Sequence, residues 1–372
     1  MNDEVTPAQT HAPHRSSDAS PGSASSPGSA SPARIAVIGC GSIGGAMAAA
    51  LDRAGLQVTV TARGAHLAAI QHDGLRMTGA FGDHVAHVQA VPVLDAAPDL
   101  AILTTKAQDA AAALADNAAW LRGVTLLVVQ NGVEGPTTAH EVVDGASVLS
   151  GTSSIGANVP RPGVVDVTTP GPTVVCPGPG SDLTEARRVV ALLQSALPAR
   201  AVENTDGVLW TKLVVNQVNA LPAITGLSIQ QTIADDRLRR VLVVSMREAV
   251  RIAHDSGIRF GGAQGLDDSM LTVLAEAPAV TAEFVPLLLA QRMGDVPNTG
   301  STLQSVVSGR PTEIDHLHGA VVRAAEQIGR HAPVNALLVR LVHEVENAAR
   351  SVDGRPAFRT IDQVWAEVED LL

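Results

Sequence analysis

The stretch from Arg34 to Thr61 constrains the fold of this chain more than any other. Arg34-Ile-Ala-Val-Ile38 is a short apolar run that ends in Gly39-Cys40-Gly41-Ser42-Ile43-Gly44-Gly45. An alanine-rich segment to about Ala54 reads as a helix, Gly55 stops it, and Gln57-Val-Thr-Val-Thr61 reads as a second strand. Strand, glycine loop, helix and strand within roughly 30 residues make a βαβ unit. A G-x-G-x-x-G alone is a weak sign, because any tight turn can carry one. Between a strand and a helix it is strong. The first glycine turns the chain, the second lets backbone approach a pyrophosphate, and the third packs helix on strand. Free N–H groups and the dipole at the helix start then favour an anion. Gly39, Cys40, Gly41, Ser42, Ile43 and Gly44 are therefore expected to hold a dinucleotide. At the end of the second strand the chain reads Thr61-Ala62-Arg63-Gly64, with no acid to take a ribose 2′-hydroxyl. Arg63 suits the 2′-phosphate of NADP(H). That Arg63 merely caps a solvated strand end stays open at this point.

Residues 74–93 read as a small ribbon or an irregular crossover. Asp99-Leu-Ala-Ile-Leu-Thr104 is another buried strand, and Lys106 lies just past its end. A helix to about Trp120 and the strand Val124 to Val129 follow, closed by Gln130-Asn131-Gly132-Val133. In doubly wound sheets ligands lie beyond the carboxyl ends of the strands. Arg63, Lys106 and Asn131 all fall at such ends. Residues 148–202 are expected to give antiparallel strands that complete the sheet, with a helix beginning at Ser181. From Asn204 onward the pattern turns helical, over 204–221, 234–256, 281–293, 301–308, 313–329 and 333–351. The expected class is α/β: an N-terminal Rossmann-type doubly wound sheet in a domain of residues 33–203, then an all-helical C-terminal domain of 204–372. Residues 1–32 are mostly Ser, Pro, Ala, Gly, His and Asp and are expected to form a disordered extension.

Composition narrows the function. A chain of 372 residues exceeds what one core usually serves, so two domains are the default. Hydrophobic residues make up 45% and the mean hydropathy is +0.18, which describes a soluble globular protein. With 2% aromatics and no Tyr, the core must be Ala, Val, Leu and Ile, and stacking platforms for single-stranded nucleic acid are missing. A net charge of -11 argues against nucleic-acid and anionic-membrane partners. Cys40 and Cys176 are too few for a disulfide framework or a metal set, so no metal is expected. No apolar run reaches the ~18 residues of a membrane span, and no secretory signal is legible. A cytoplasmic protein is expected.

The second half carries its own chemistry. Of 26 Lys plus Arg, only Lys106 and Lys212 are lysine. A position that stays Lys in an Arg-rich chain suggests an ammonium that burial can make acidic. Lys212 and Asn216 are four apart and share a helical face, with Asn219 nearby. A structural helix that points these residues at solvent, opposite Leu213, Val214, Val215 and Val218, is the alternative. Ser301-Thr-Leu-Gln304 has the spacing of a capping box. Arg310-Pro-Thr-Glu313-Ile-Asp315 opens a helix with acids in its first turn. Taken singly, capping and dipole pairing would explain both.

Taken together, these motifs resemble a known family. The order is G-C-G-x-x-G, a Lys past a later strand, Gln-Asn-Gly, Trp-x-Lys-Leu-x-x-Asn, and a Ser twelve residues before the Glu of Arg-x-Thr-Glu-Ile-Asp. The chain looks like 2-dehydropantoate 2-reductase (ketopantoate reductase) from about Arg34 to Val345. The resemblance implies NADPH-dependent reduction of 2-dehydropantoate to (R)-pantoate in pantothenate and coenzyme A biosynthesis. The small 2-oxo acid would lie between the two domains; a homodimer is left open. Lys212 matches the catalytic lysine and Glu313 the glutamate of the catalytic and cofactor site. Asn216, Asn219 and Ser301 match substrate-binding positions. Asn131 matches the contact near nicotinamide and substrate, and Lys106 and Arg63 match basic cofactor contacts. Many members carry the second Asn eight residues after the lysine, where this chain has Ala220; here Asn219 stands seven after. That departure bears on the substrate more than on the reaction.

The resemblance also implies a mechanism. Lys212 would hydrogen-bond the keto oxygen, stabilise the developing alkoxide and deliver its proton. Arg would stabilise the charge but yield a proton poorly, since its pKa exceeds about 12. Glu313 would orient the ammonium or accept the substrate hydroxyl. Ser301, at a helix start, suits a carboxylate. Two other readings are a related NADPH-dependent reductase of another 2-oxo acid or imine, and an NADPH-binding regulatory protein without turnover. A sensor has no need of a proton donor, so Lys212, Glu313, Ser301 and Asn131 together count against the latter.

Overall fold

Alternate residues of β1 (Arg34–Ile38) serve two different cores. Ile35 and Val37 pack with the helix α1 (Ser42–Arg53) on one side of the sheet, and Ala36 and Ile38 pack on the opposite side. A strand buried on both faces must lie inside a parallel sheet covered by helices, and that is where β1 lies. The computed structural model describes residues 33–262, 265–351 and 354–372. The extension expected over 1–32 lies outside the described residues.

The remaining elements of the first region are β2 (Gln57–Thr61), α2 (Gly64–Asp73), β3 (Leu75–Gly79), β4 (His84–Ala86), β5 (Gln89–Val91), β6 (Leu100–Leu103), α3 (Ala110–Leu121), β7 (Thr125–Val129), α4 (Gly135–Val142), β8 (Ser147–Ser153), β9 (Gly156–Arg161), β10 (Val164–Thr169), β11 (Thr173–Cys176), α5 (Leu183–Leu193) and β12 (Ala199–Ala201). Eight strands form one sheet in the order β12-β11-β8-β7-β6-β1-β2-β5. β5, β2, β1, β6, β7 and β8 run parallel, and β11 reverses against β8. The expected doubly wound sheet is therefore present. α1 and α5 cover one face, and α3 and α4 cover the other. Alanines 46 and 48–50 of α1 are fully buried; their small side chains let that helix lie close to the sheet.

One expectation is corrected. Residues 156–169 do not complete the main sheet. β9 and β10 join β3 and β4 in a second sheet of order β4-β3-β10-β9, which packs on α1. Of the ribbon anticipated over residues 74–93, β3 and β4 are half of this sheet while β5 joins the edge of the main one, and β10 pairs parallel with β3.

Beyond β12, the described residues form only helices: α6 (Thr205–Asn216), a 3₁₀ turn (Gln217–Asn219), α7 (Ala220–Thr225), α8 (Ile229–Ala234), α9 (Asp236–Asp255), α10 (Asp268–Glu276), α11 (Ala279–Ala282), α12 (Phe284–Met293), α13 (Gly300–Val307), α14 (Ile314–Gln327), α15 (Pro333–Ala349), α16 (Ile361–Val368) and a terminal 3₁₀ turn. Their core gathers Trp210, Leu213, Val214, Leu242, Met246, Leu338 and Leu341, all buried. The helix expected over 204–221 is broken, and Pro222 explains why. An unbroken helix would lose the hydrogen bond to the Val218 carbonyl and crowd the proline ring against it. Restarting the helix at Ala220 puts Pro222 in a first turn, where no N–H is needed.

Candidate active site

The glycine loop is tight where it must support helix and strand, and open where a ligand would approach. Gly39 has φ +97, and a Cβ there would stand 2.6 Å from the Thr105 side chain. A Cβ on Gly44 would collide with the Gly39 carbonyl and the Thr104 hydroxyl. A Cβ on Gly41 would meet nothing within 4 Å. Thr61 binds the loop to β2: its hydroxyl accepts from Gly39 N at 2.9 Å and its carbonyl from Cys40 N at 2.8 Å. Gly41 caps α1 and no side chain caps its first turn, so its leading N–H groups, with Ser42 and Ile43, face the open side of the loop. A phosphate fits such a cradle. Cys40 points inward, and burial pushes its thiol up to about 12, so it packs and does not react. Arg63 lies at the end of β2, mostly exposed, 3.2 Å from Asp116.

Two loops beyond strand ends grip the segment between α13 and α14. Past β6, Lys106 Nζ donates to Ser305 Oγ at 2.8 Å and to the Pro311 carbonyl at 2.5 Å. Burial lowers its pKa, against the raising effect of Glu313. Ala107 N donates to Glu313 Oε1 at 3.1 Å, and Gln108 reaches the Pro311 and Thr312 carbonyls. Past β7, Asn131 Nδ2 donates to Glu313 Oε2 at 3.2 Å. Its Oδ1 accepts from Asn216 Nδ2, also at 3.2 Å. Three residues on, Glu134 meets Arg323 and His316 of α14.

α6 is pinned at its start. Asn204 caps it by accepting from Gly207 N at 3.0 Å, and Thr211 donates to the Gly207 and Gly261 carbonyls at 2.7 Å. Lys212 then falls on the face that Asn216 shares. Its side chain is partly exposed, yet burial alone pushes the ammonium down to about 8, with no neighbouring charge contributing. Asn216 and Asn219 are buried, so the alternative in which they face solvent does not hold. Asn219 Nδ2 donates to the Asn216 carbonyl at 3.1 Å. Its Oδ1 lies over Gly300, where a Cβ would collide with it; Gly300 has φ +68, a conformation glycine adopts without strain. The 3₁₀ turn also moves Asn219 along the helix. Each 3₁₀ residue rises about 2.0 Å against about 1.5 Å in an α-helix. Asn219 therefore stands about 12 Å beyond Lys212, the height of an eighth residue in regular α-helix.

Four of the residues singled out from the sequence form one hydrogen-bonded chain, Asn219, Asn216, Asn131 and Glu313, and the charge of Lys106 is felt beside Glu313. Lys212 shares the face of Asn216, but its expected partnership with Glu313 is not made here. Glu313 instead serves Ala107 and Asn131 and precedes the first turn of α14, which Asp315 occupies. Ser301 is exposed in the first turn of α13 and makes no capping box, because Thr299 holds the cap position. Sequence reasoning missed Glu134, His316, Arg323 and Ser305. Arg323 and His316 are seven apart and so share a helical face, a signal that was legible; their partner Glu134 was not. Among the described residues no His, Cys, Asp and Glu cluster could hold a metal ion, and no helix is long and apolar enough to cross a membrane.

Known proteins resemble this chain in sequence and fold. Residues 35–180 match the model of the family described as Ketopantoate reductase PanE/ApbA, and residues 204–346 match its C-terminal model. The chain is similar to a 2-dehydropantoate 2-reductase of Pyrococcus horikoshii, 29% identical over 316 residues, covering 84% of this chain and 98% of the relative. One from Halobacterium salinarum is 29% identical over 321 residues, covering 83% and 97%. A PanE/ApbA family ketopantoate reductase from Ralstonia eutropha superposes with a TM-score of 0.72 at 26% identity, covering 86% of this chain and all (100%) of that one. D-mandelate dehydrogenase, solved with NADH and anilino(oxo)acetate, shares the fold at a TM-score of 0.74 and 21% identity, covering 86% and 100%.

Proposed function

The chain belongs to the ketopantoate reductase PanE/ApbA family, and on that premise we propose that it reduces 2-dehydropantoate to (R)-pantoate with NADPH, in the cytoplasm, as a step of pantothenate and coenzyme A biosynthesis. The observation that carries this reading is Lys212: an ammonium that burial pushes down to about 8, on the face of a helix whose Asn216 reaches Asn131 at the sheet's carboxyl edge.

We assign residues 33–203 to dinucleotide binding and 204–372 to substrate binding and catalysis. Gly39, Cys40, Gly41, Ser42, Ile43 and Gly44 would hold the pyrophosphate on backbone N–H groups. Arg63 would take the 2′-phosphate, and the absence of an acid after β2 favours NADPH over NADH. Lys106, Asn131 and Glu313 would line the nicotinamide side. A reduced nicotinamide dinucleotide, when bound, supplies the hydride. Lys212 hydrogen-bonds the keto oxygen, stabilises the charge that grows there and gives it a proton. With a pKa about 8, Lys212 is mostly protonated at neutral pH and still able to yield its proton. Asn216 and Asn219 would hold the substrate's hydroxyl and carboxylate oxygens, and Ser301 with the α13 N-terminus would add donors for the carboxylate. Glu313 accepts from Ala107 and Asn131 here, which holds both strand-end loops in register with α14; it would also accept the substrate hydroxyl.

A second reading is an NADPH-dependent reductase of another 2-oxo acid or an imine. The likeness to D-mandelate dehydrogenase motivates it, together with the spacing of Asn219. Initial rates of NADPH oxidation with 2-dehydropantoate, pyruvate, 2-oxoisovalerate and phenylglyoxylate decide between them. Highest kcat/KM for 2-dehydropantoate supports the first reading. A preference of tenfold or more for another acid transfers the assignment to it.

A further inference from the structure

Asn131 hangs between two anchors. Before it, Gln130 Nε2 donates to the Thr105 carbonyl at 2.8 Å, within the sheet region. After it, Glu134 crosses to the helical region. Arg323 Nε donates to Glu134 Oε1 at 2.9 Å and Arg323 Nη2 to Oε2 at 2.8 Å, a bidentate fork that fixes direction as well as distance. His316 Nδ1 stands 3.4 Å from the same Oε2. Between the anchors Gly132, with φ +86, lies so close to α14 that a Cβ would be 2.7 Å from the His316 carbonyl. Glu134 also starts α4, since its carbonyl accepts from Thr138 N at 3.0 Å. The carboxyl is held down to about 2, first by His316 and then by Arg323, so the fork stays charged across the working range of any cytoplasmic enzyme.

Asn131 cannot fix its own place. Its two side-chain hydrogen bonds are both 3.2 Å long and both go to residues of the helical region. We propose that Glu134, through its fork with Arg323 and its contact with His316, is a positioning residue that sets where Asn131 stands between Asn216 and Glu313. The proposal rests on the reading that Asn131 lies at the reaction site. The fork and the His316 contact of Glu134 reach neither Lys212 nor the glycine loop, so its effect on the reaction site passes through the loop of Asn131 that the clasp ties to α14. A misplacement of about 1 Å at a reacting centre can cost about 100-fold in rate, which makes a clasp of this kind consequential even when half-exposed.

The test uses Glu134→Gln, Arg323→Gln, Asn131→Ala and the double variants, with two readouts. Steady-state kinetics of 2-dehydropantoate reduction should show kcat lowered about tenfold in Glu134→Gln, while the NADPH Kd, dominated by the untouched glycine loop and Arg63, stays within twofold. Arg323→Gln should match it, and adding either change to Asn131→Ala should cost nothing more. Hydrogen exchange over residues 131–138 should rise several-fold in both single variants, with thermal midpoints little changed. Unchanged exchange in that segment overturns the proposal, as do losses that add fully to those of Asn131→Ala. A fall in thermal midpoint with kcat per folded molecule intact also overturns it. If the parent protein fails to reduce 2-dehydropantoate, the functional reading fails, and the exchange comparison still decides the clasp.

Discussion

Asn216 donates its side-chain amide to Asn131 at 3.2 Å, joining the helix of Lys212 to the carboxyl edge of the parallel sheet. The residues are 85 positions apart in sequence and lie in different regions of the fold. Burial, with no charged neighbour contributing, sets the state of the Lys212 ammonium on the same helix. Replacing Asn216 with Ala removes this bridge together with the proposed substrate contact. We expect kcat/KM for 2-dehydropantoate to fall about 10- to 100-fold, equivalent to about 1.4–3 kcal/mol, with the NADPH Kd retained. Steady-state kinetics beside a fluorescence titration of NADPH check both halves.

The glycine loop separates packing from binding. Gly44→Ala forces a methyl into the Gly39 carbonyl and Thr104 hydroxyl and should destabilise the fold by about 1–3 kcal/mol. Gly41→Ala meets open space at φ -88, so its stability should stay within about 0.5 kcal/mol. Its dinucleotide affinity should drop at least tenfold. Denaturant unfolding and NADPH titration on the two variants show whether the loop divides in this way.

The proposed role of Arg63 is to distinguish the two cofactors. Its ion pair with Asp116 is exposed and contributes at most about 1 kcal/mol, so Arg63→Ala should fold normally. A charge-assisted bond to a 2′-phosphate is worth about 1.5–3 kcal/mol. NADPH affinity should therefore weaken about 10- to 100-fold, with NADH affinity nearly unchanged. Equal losses for both would remove the case for NADPH.

The proposed role of Lys212 predicts opposite pH dependences for stability and rate. Its folded value of about 8 lies below the ordinary lysine value of 10.5. The native state therefore bears the full cost of the buried charge below pH 8. Between the two values the unfolded chain binds more protons, so stability rises with pH by at most about 3 kcal/mol. Lys212→Met should be more stable than the parent protein at pH 7, and the difference should shrink towards pH 10. If Lys212 is the proton donor, reduction needs the protonated ammonium, so kcat/KM should be level below pH 8 and fall tenfold per unit above it. Urea unfolding and a pH–rate profile measure the two trends separately.

Much of this arrangement was legible because it is local. The β1–loop–α1–β2 unit declares itself in consecutive residues, and the burial of β1 on both faces follows from its unbroken apolar run. The i, i+4 spacing of Lys212 and Asn216 placed them correctly on one face. What the sequence hid depends on distant partners. Residues 156–169 alternate like strands of any sheet, and only their pairing with residues 75–79 excludes them from the main one. Pro222 did signal the break after Asn216, but the helical pattern of its neighbours masked it. Glu134 carried no signal at all, because its significance comes from Arg323, 189 residues away.

The most direct measurement of the central claim is kcat for 2-dehydropantoate reduction at saturating NADPH, compared between the parent protein and Lys212→Arg. The substitution keeps a positive charge on the same helix face and raises its pKa above about 12. If Lys212 is the proton donor, kcat falls at least 100-fold, about 2.7 kcal/mol, while NADPH binds as before. Undiminished turnover by Lys212→Arg would contradict the account.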